Sequence, residues 1–87
     1  MLPKVERWIE TYDKGSRDSI HEINVDIIPF EKLKEIVPPK SDDPLLYDGY
    51  ILDANQIEQL NFFIEQKILP DFSKYYYVLD CASVKES

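Results

Sequence analysis

Residues 5–12, VERWIETY, alternate β-branched and aromatic residues with charges, and residues 19–28, SIHEINVDII, resume the alternation. Between them lies DKGSRD, residues 13–18, which carries turn chemistry: Asp13 is placed to bond its own backbone, and Gly15 tolerates φ > 0. The pattern predicts a β-hairpin. With the turn centred between Gly15 and Ser16, Trp8 lies opposite Ile23 and Glu10 opposite His21. The core face then holds Trp8, Tyr12, Ile23, Val25 and Ile27, and the outer face holds Arg7, Ile9, Thr11, Glu22, Asn24 and Asp26. A slip of one residue would exchange the faces of the first strand.

Pro29 suits the start of a helix, and Phe30, Leu33 and Ile36 or Val37 follow at helical spacing. This gives a short helix over about 30–37, stopped by Pro38-Pro39. Residues 38–49, PPKSDDPLLYDG, form a loop that three prolines stiffen, and YIL at 50–52 reads as a short strand or an extended lead-in. Asp53 followed by Gln56 has capping-box spacing and opens the main helix, about 54–67, with Ile57, Leu60, Ile64 and Ile68 as its buried stripe. Phe62 points off that stripe, either covered by the loop or exposed. Pro70 ends the helical run, and KYYYVLDCA, 74–82, has strand composition with tyrosines on both faces, which suggests a central strand or one whose outer face meets something. The fold class expected is α+β: an antiparallel sheet of three or four strands with both helices packed on it, in the order β-β-α-(β)-α-β. Residues 1–87 make a single domain, with 83–87 a frayed tail.

Composition narrows the function classes. A chain of 87 residues, 44% hydrophobic, is too apolar for a disordered acidic tail yet too short for a large catalytic cleft. Ten Lys and Arg stand against 17 Asp and Glu, a net charge of -7, which argues against binding nucleic-acid phosphates. The opening MLPKVERWIE lacks a signal peptide's apolar run, and no run approaches the ~20 residues of a membrane span. With one cysteine and a Met1 start, the expectation is a whole small cytoplasmic protein without a disulfide framework.

Catalytic chemistry is sparse. One His, His21, and one Cys, Cys81, give no metal-ligand set, and two glycines give no phosphate-cradling loop. His21 reads as a satisfied structural histidine, Cys81 as a small buried hydrophobe. No catalytic residue, metal or cofactor is expected, and the protein is not expected to be an enzyme.

Charge is unevenly spread. Residues 1–40 hold eight acids and seven bases, whereas 41–87 hold nine acids and three bases. Asp42, Asp43, Asp48, Asp53, Glu58 and Glu65 follow one another with no base between Ser41 and Gln66. Like charges concentrated in one loop-helix unit repel. They read either as a solvated face or as a docking surface for a basic partner. Tyrosines add to the second reading. Tyr47 and Tyr50 flank Asp48-Gly49, and Tyr75, Tyr76 and Tyr77 cannot all face one core because strand side chains alternate.

The opening WIETYDKGSRD, the mid-chain helix with its apolar stripe, and the closing ILPDFSKYYYVLDC with Asp80 near its end resemble the immunity proteins of cloacin- and colicin-type ribonuclease bacteriocins. The middle departs: a stiff Pro-Asp loop looks more like small bacterial proteins with a D-D-P-L-x-Y-x-x-Y block. The resemblance implies a small, acidic, cytoplasmic protein that docks on a basic toxin domain, such as a nuclease, and neutralises it by occlusion. On that reading Asp42, Asp43, Asp48, Asp53, Glu58, Tyr47, Tyr50 and Tyr76 form the partner-binding set. The alternative is an adaptor or homodimer with no toxin involved.

Overall fold

The computed structural model describes residues 5–83. Its elements are β1 (Val5–Asp13), β2 (Ser19–Asn24), α1 (Phe30–Ile36), β3 (Tyr50–Ile51), α2 (Ala54–Asn61) and β4 (Tyr75–Ser83). The strands form one antiparallel sheet in the order β2-β1-β4-β3. The α+β class and element order match the sequence reading, and β4 is central as its composition implied. Ser83 is part of β4, paired with Val5, rather than tail; residues 84–87 lie outside the described residues.

The hairpin register differs from the expectation by one residue. Trp8 pairs with Asn24, Ile9 with Ile23, Glu10 with Glu22 and Thr11 with His21. A bulge between Thr11 and Tyr12 takes up the odd residue. Asp13 organises the turn as anticipated, its Oδ1 accepting from the Gly15 and Ser16 amides at 2.8 and 3.0 Å. The left-handed residue, however, is Arg17 at φ 64°, not Gly15.

The faces of β1 are therefore exchanged. Ile9 and Thr11 are buried, while Trp8 and Tyr12 lie half-buried on the opposite side. Ile23 is half-buried and Val25 fully buried, but Ile27 is 70% exposed and Ile28 takes the core position. Alternation fails there because the chain turns: the Ile28 amide donates to the Val25 carbonyl at 3.0 Å, and Asp26 is tied back to Asn24. Arg7, expected outside, shares the inner face with Ile9. Its Nη2 donates to the Leu45 carbonyl, its guanidinium lies 4.9 Å from the Phe30 ring centroid, and its Nε is buried without a partner.

Both helices cover this inner face. Leu33, Ile36, Val37, Ile57, Leu60, Ile64 and Ile68 pack with Ile9, Tyr77 and Leu79 into one core. The capping box at Asp53 forms as the spacing foretold: Asp53 Oδ1 accepts from the Gln56 amide at 2.8 Å and Gln56 Oε1 from the Asp53 amide at 2.9 Å. α2 stops at Asn61, six residues before the expected end at 67. The Asn61 side chain exchanges two 2.9 Å bonds with the backbone of Ile68, and Lys67 Nζ donates to the carbonyls of Asn61 and Ile64. A side chain that competes for backbone groups ends the helix, as asparagine commonly does. Ile64 and Ile68 still reach the core from this irregular segment, whose curl leaves Phe62 83% exposed.

Candidate partner-binding face

The acidic run divides by task. Asp43 is buried, with a relative exposure of 6%, and accepts from the Tyr47 amide, the Asp48 amide and the Tyr50 hydroxyl at 2.9, 3.0 and 2.7 Å. Those donors, Tyr50 first, hold its carboxyl below the ordinary carboxylate range. Asp43 thus folds the loop, allowing Leu46 its left-handed φ of 55° inside the core. Burial, together with the bond to Asp43, pushes the Tyr50 phenol up, and its oxygen also accepts from the Lys40 amide at 3.1 Å. Asp48 pairs with Lys40 Nζ at 3.0 Å, and that contact raises the lysine's pKa. Asp53 caps α2. Asp42, Glu58 and Tyr47 are exposed, as is Glu65. Of the eight residues expected to bind a partner, then, Asp43, Tyr50 and Asp53 have structural work, and Tyr76 lies away from the loop on the sheet.

Among the described residues, no helix lies on the other face of the sheet. Reading across β2, β1, β4 and β3, one row is Glu22, Glu10, Val78 and Ile51, and the next is Asn24, Trp8 and Asp80. Ser19, Tyr12 and Tyr76 form the row toward the turn, and Glu6 with Ala82 the row at the far end. Among the described residues this face carries Glu6, Glu10, Glu22 and Asp80 and no Lys or Arg. Glu10 directly opposite Glu22 is an unfavourable cross-strand pair. Three aromatic rings, Trp8, Tyr12 and Tyr76, lie among these carboxylates.

Tyr12 links two rows of the face. Its ring stacks on Tyr76, centroids 5.1 Å apart and planes within 12°. It leans along the strand, so that its hydroxyl donates to Glu10 and lies 3.4 Å from Asp80 Oδ2. The bond to the Glu10 carboxylate, then burial, pushes the Tyr12 phenol far up. Asp80 is raised by burial first and by the negative charge of Glu10 second. Part of that burial comes from Gly49, where a Cβ would stand 3.0 Å from Asp80 Oδ1. A side chain at Gly49 would crowd Asp80, whose carboxylate would have to shift by a few tenths of an ångström.

Sequence reasoning found Tyr76 but missed Trp8, Glu10, Tyr12, Glu22 and Asp80 as a group, because the hairpin slip put Trp8 and Tyr12 in the core. The signal was present in the parity of β1. Val5, Ile9 and Thr11 are β-branched on one face, whereas Glu6 and Glu10 share the face of Trp8 and Tyr12. Unpaired carboxylates do not belong in a core.

Residues 6–80 match the family described as a domain of unknown function, DUF7683. The chain belongs to this family. The match runs from the second residue of β1 to Asp80, so both helices and all of the sheet but Val5 and the last three residues of β4 lie within the family's bounds. No curated protein matches the chain, and no solved structure does. None of these comparisons connects the family to bacteriocin immunity proteins. Among the described residues there is no group of three or more His, Cys, Asp or Glu side chains arranged to hold a metal, and no helix long and apolar enough to cross a membrane. His21 is exposed rather than buried, with Gln66 Nε2 3.5 Å from its Nε2. Cys81 is half-buried, less enclosed than expected, and burial pushes its thiol up.

Proposed function

We propose that the protein is a binding module that docks a basic protein through the uncovered face of its sheet. The supporting observation is that this face carries three aromatic rings and four carboxylates with no base among the described residues. Aromatic area supplies desolvated contact that slows dissociation, and unbalanced carboxylates steer a cationic partner and raise its association rate. Asp42, Glu58 and Glu65 add to the field from the helical side without touching the partner. Neither membrane nor nucleic acid is the partner on this reading, since phosphates would meet like charge. A second copy of the chain is disfavoured for the same reason: a two-fold contact through this face would bring its own carboxylates together.

With the resemblance to bacteriocin immunity proteins, the reading extends to inhibition. The partner is a basic toxin domain, neutralised by covering its substrate-binding surface, and the protein itself performs no chemistry. The test begins with the genes flanking this one, where a basic toxin domain is expected, and measures association kinetics with that product across a salt series; flanking genes with no basic product would count against the toxin reading. Trp8→Ala and Tyr76→Ala should each speed dissociation. Asp42→Asn with Glu58→Gln should slow association at low salt only, where charges are unscreened. Unchanged dissociation in both ring variants would remove the sheet face as the docking surface.

A further inference from the structure

The early end of α2 leaves an aromatic side chain without cover. Phe62 is 83% exposed, and Leu69, at 90%, belongs to the same curl; no other large apolar side chain among the described residues is as exposed. Phe62 forms a ridge between two hollows. One, of about 420 Å³, lies between α1 and α2 and is lined by Lys32, Glu35, Ile36, Gln59, Phe62 and Phe63. The other, of about 300 Å³, is lined by Glu58, Asn61, Phe62 and Lys67. At helical spacing Gln59 and Phe63 fall to one side of Phe62, and Glu58 and Asn61 to the other. A cavity of about 150 Å³ holds benzene, so the larger hollow has room for a phenyl ring.

The rims of the two hollows carry two lysines and two glutamates. Lys32 and Glu35 pair with each other at 3.7 Å. Glu58 is exposed and has no ion-pair partner among the described residues. Lys67 turns its ammonium onto the Asn61 and Ile64 carbonyls. Glu65, exposed in the same curl, lines neither hollow. In a chain of net charge -7, this balanced patch lets a second copy approach without like charges meeting at the contact.

We propose that the protein forms a two-fold dimer through this side, each Phe62 entering the other copy's hollow between α1 and α2. The exchange places the axis between Phe62 and its own hollow. The far wall of that hollow, Lys32 and Glu35, then faces what lies beyond the incoming ring, Glu58 and Lys67. Lys32 meets Glu58 and Glu35 meets Lys67, each twice, as an isologous contact requires. A tenth of each copy's 6031 Å² surface gives roughly 1,200 Å² in all, the lower edge of stable interfaces, so the dimer is weak. The uncovered sheet face stays free in both copies, and the dimer does not depend on what that face binds.

The test is sedimentation equilibrium of the full chain at physiological salt. A monomer–dimer curve with a Kd on the order of 100 μM is expected over about 10 μM to 1 mM. Phe62→Ala should weaken the dimer about tenfold or more, as loss of a central aromatic anchor does, and leave the melting curve of dilute protein unchanged because the ring is exposed. Lys32→Glu and Glu58→Lys should each weaken it about threefold or more, and the two together should restore it to within about twofold. A monomer at every concentration, or a dimer indifferent to Phe62→Ala, would overturn the proposal. A monomer that instead binds anilinonaphthalenesulfonate, and loses it on Phe62→Ala, would give the hollow to a small apolar ligand and overturn it too. Growth beyond the dimer would replace the two-fold with a head-to-tail contact, and a charge swap without rescue would refute the two-fold pairing.

Discussion

Exchanging the strand neighbours Ile9 and Trp8 for alanine, one at a time, tests the hairpin register on which the outer face depends. Ile9 is 1% exposed and lies between Ile23 and Leu79 across the sheet. Ile9→Ala removes three buried carbons, about 2.4 kcal/mol at ~0.8 kcal/mol each. A cavity that fails to collapse, roughly 70 Å³ at ~24 cal/mol per Å³, adds about 1.7 kcal/mol, for a total near 4 kcal/mol. Against the roughly 4–13 kcal/mol expected for a domain of 87 residues, that is a large share. Among the described residues no helix lies above the half-buried Trp8, so Trp8→Ala should cost about 1–3 kcal/mol, less than Ile9→Ala because no enclosed cavity is left. The assay is urea unfolding followed by circular dichroism, because Trp8→Ala deletes the only tryptophan. The Ile9 midpoint should fall below that of Trp8→Ala, with unchanged slopes. A Trp8→Ala loss equal to or greater than that of Ile9→Ala would put Trp8 in the core and undo the face.

Leu60→Ala, at a site with no exposure, should cost about 2–5 kcal/mol and lower Tm by roughly 4–8 °C per kcal/mol; a near-neutral melt would contradict the packing of α2. Asp53→Ala should cost about 0.5–2 kcal/mol through the capping box, and Asp53→Ser should recover most of it in the same unfolding assay. Asp80 binds its proton more tightly folded than unfolded, so wild type should gain stability relative to Asp80→Asn as pH falls from 7 toward about 4, the unfolded value. A gap between the two melting curves that stays constant over that range would refute the raised Asp80. Cys81, half-buried with its thiol pushed up, should react with a thiol reagent more slowly in the native chain than in urea; equal rates would show it open.

Local chemistry was legible where one residue decides the outcome. Asp53 with Gln56 gave the helix start, Asp13 the turn, Pro29 and Pro38 the limits of α1, and the stripe Ile57, Leu60, Ile64 and Ile68 the core side of the second helical region. The end of α2 was not legible from periodicity, because Ile64 and Ile68 stay buried after the helix has stopped. What ends it is the Asn61 side chain reaching seven residues on, a contact the spacing of apolar residues does not encode.

The hairpin register was lost for a similar reason. Both strands alternate, so a single bulge between Thr11 and Tyr12 shifts the partner of every residue beyond it. Reading aromatic residues as core outweighed the plainer clue that Glu6 and Glu10 accompany Trp8 and Tyr12. The acidic run from Asp42 to Glu65 was legible as charge but not as structure. Asp43 is the buried hub of its loop, so a variant that also removes Asp43 would unfold the loop and confuse steering with stability. Steering is therefore better measured with Asp42 and Glu58.

The most direct test of the sheet face as docking surface is amide hydrogen exchange of the full chain, free and bound to the basic toxin domain expected among the products of its flanking genes. Edge strand β2 and the exposed ends of β1 and β4 exchange through local opening, so a partner seated over them slows it. The account predicts new protection in β2, β1 and β4, centred on Glu10, Glu22 and Tyr76, with the 41–49 loop and α2 unchanged. Protection confined to the loop and α2, with β2 exchanging as in the free protein, would contradict it.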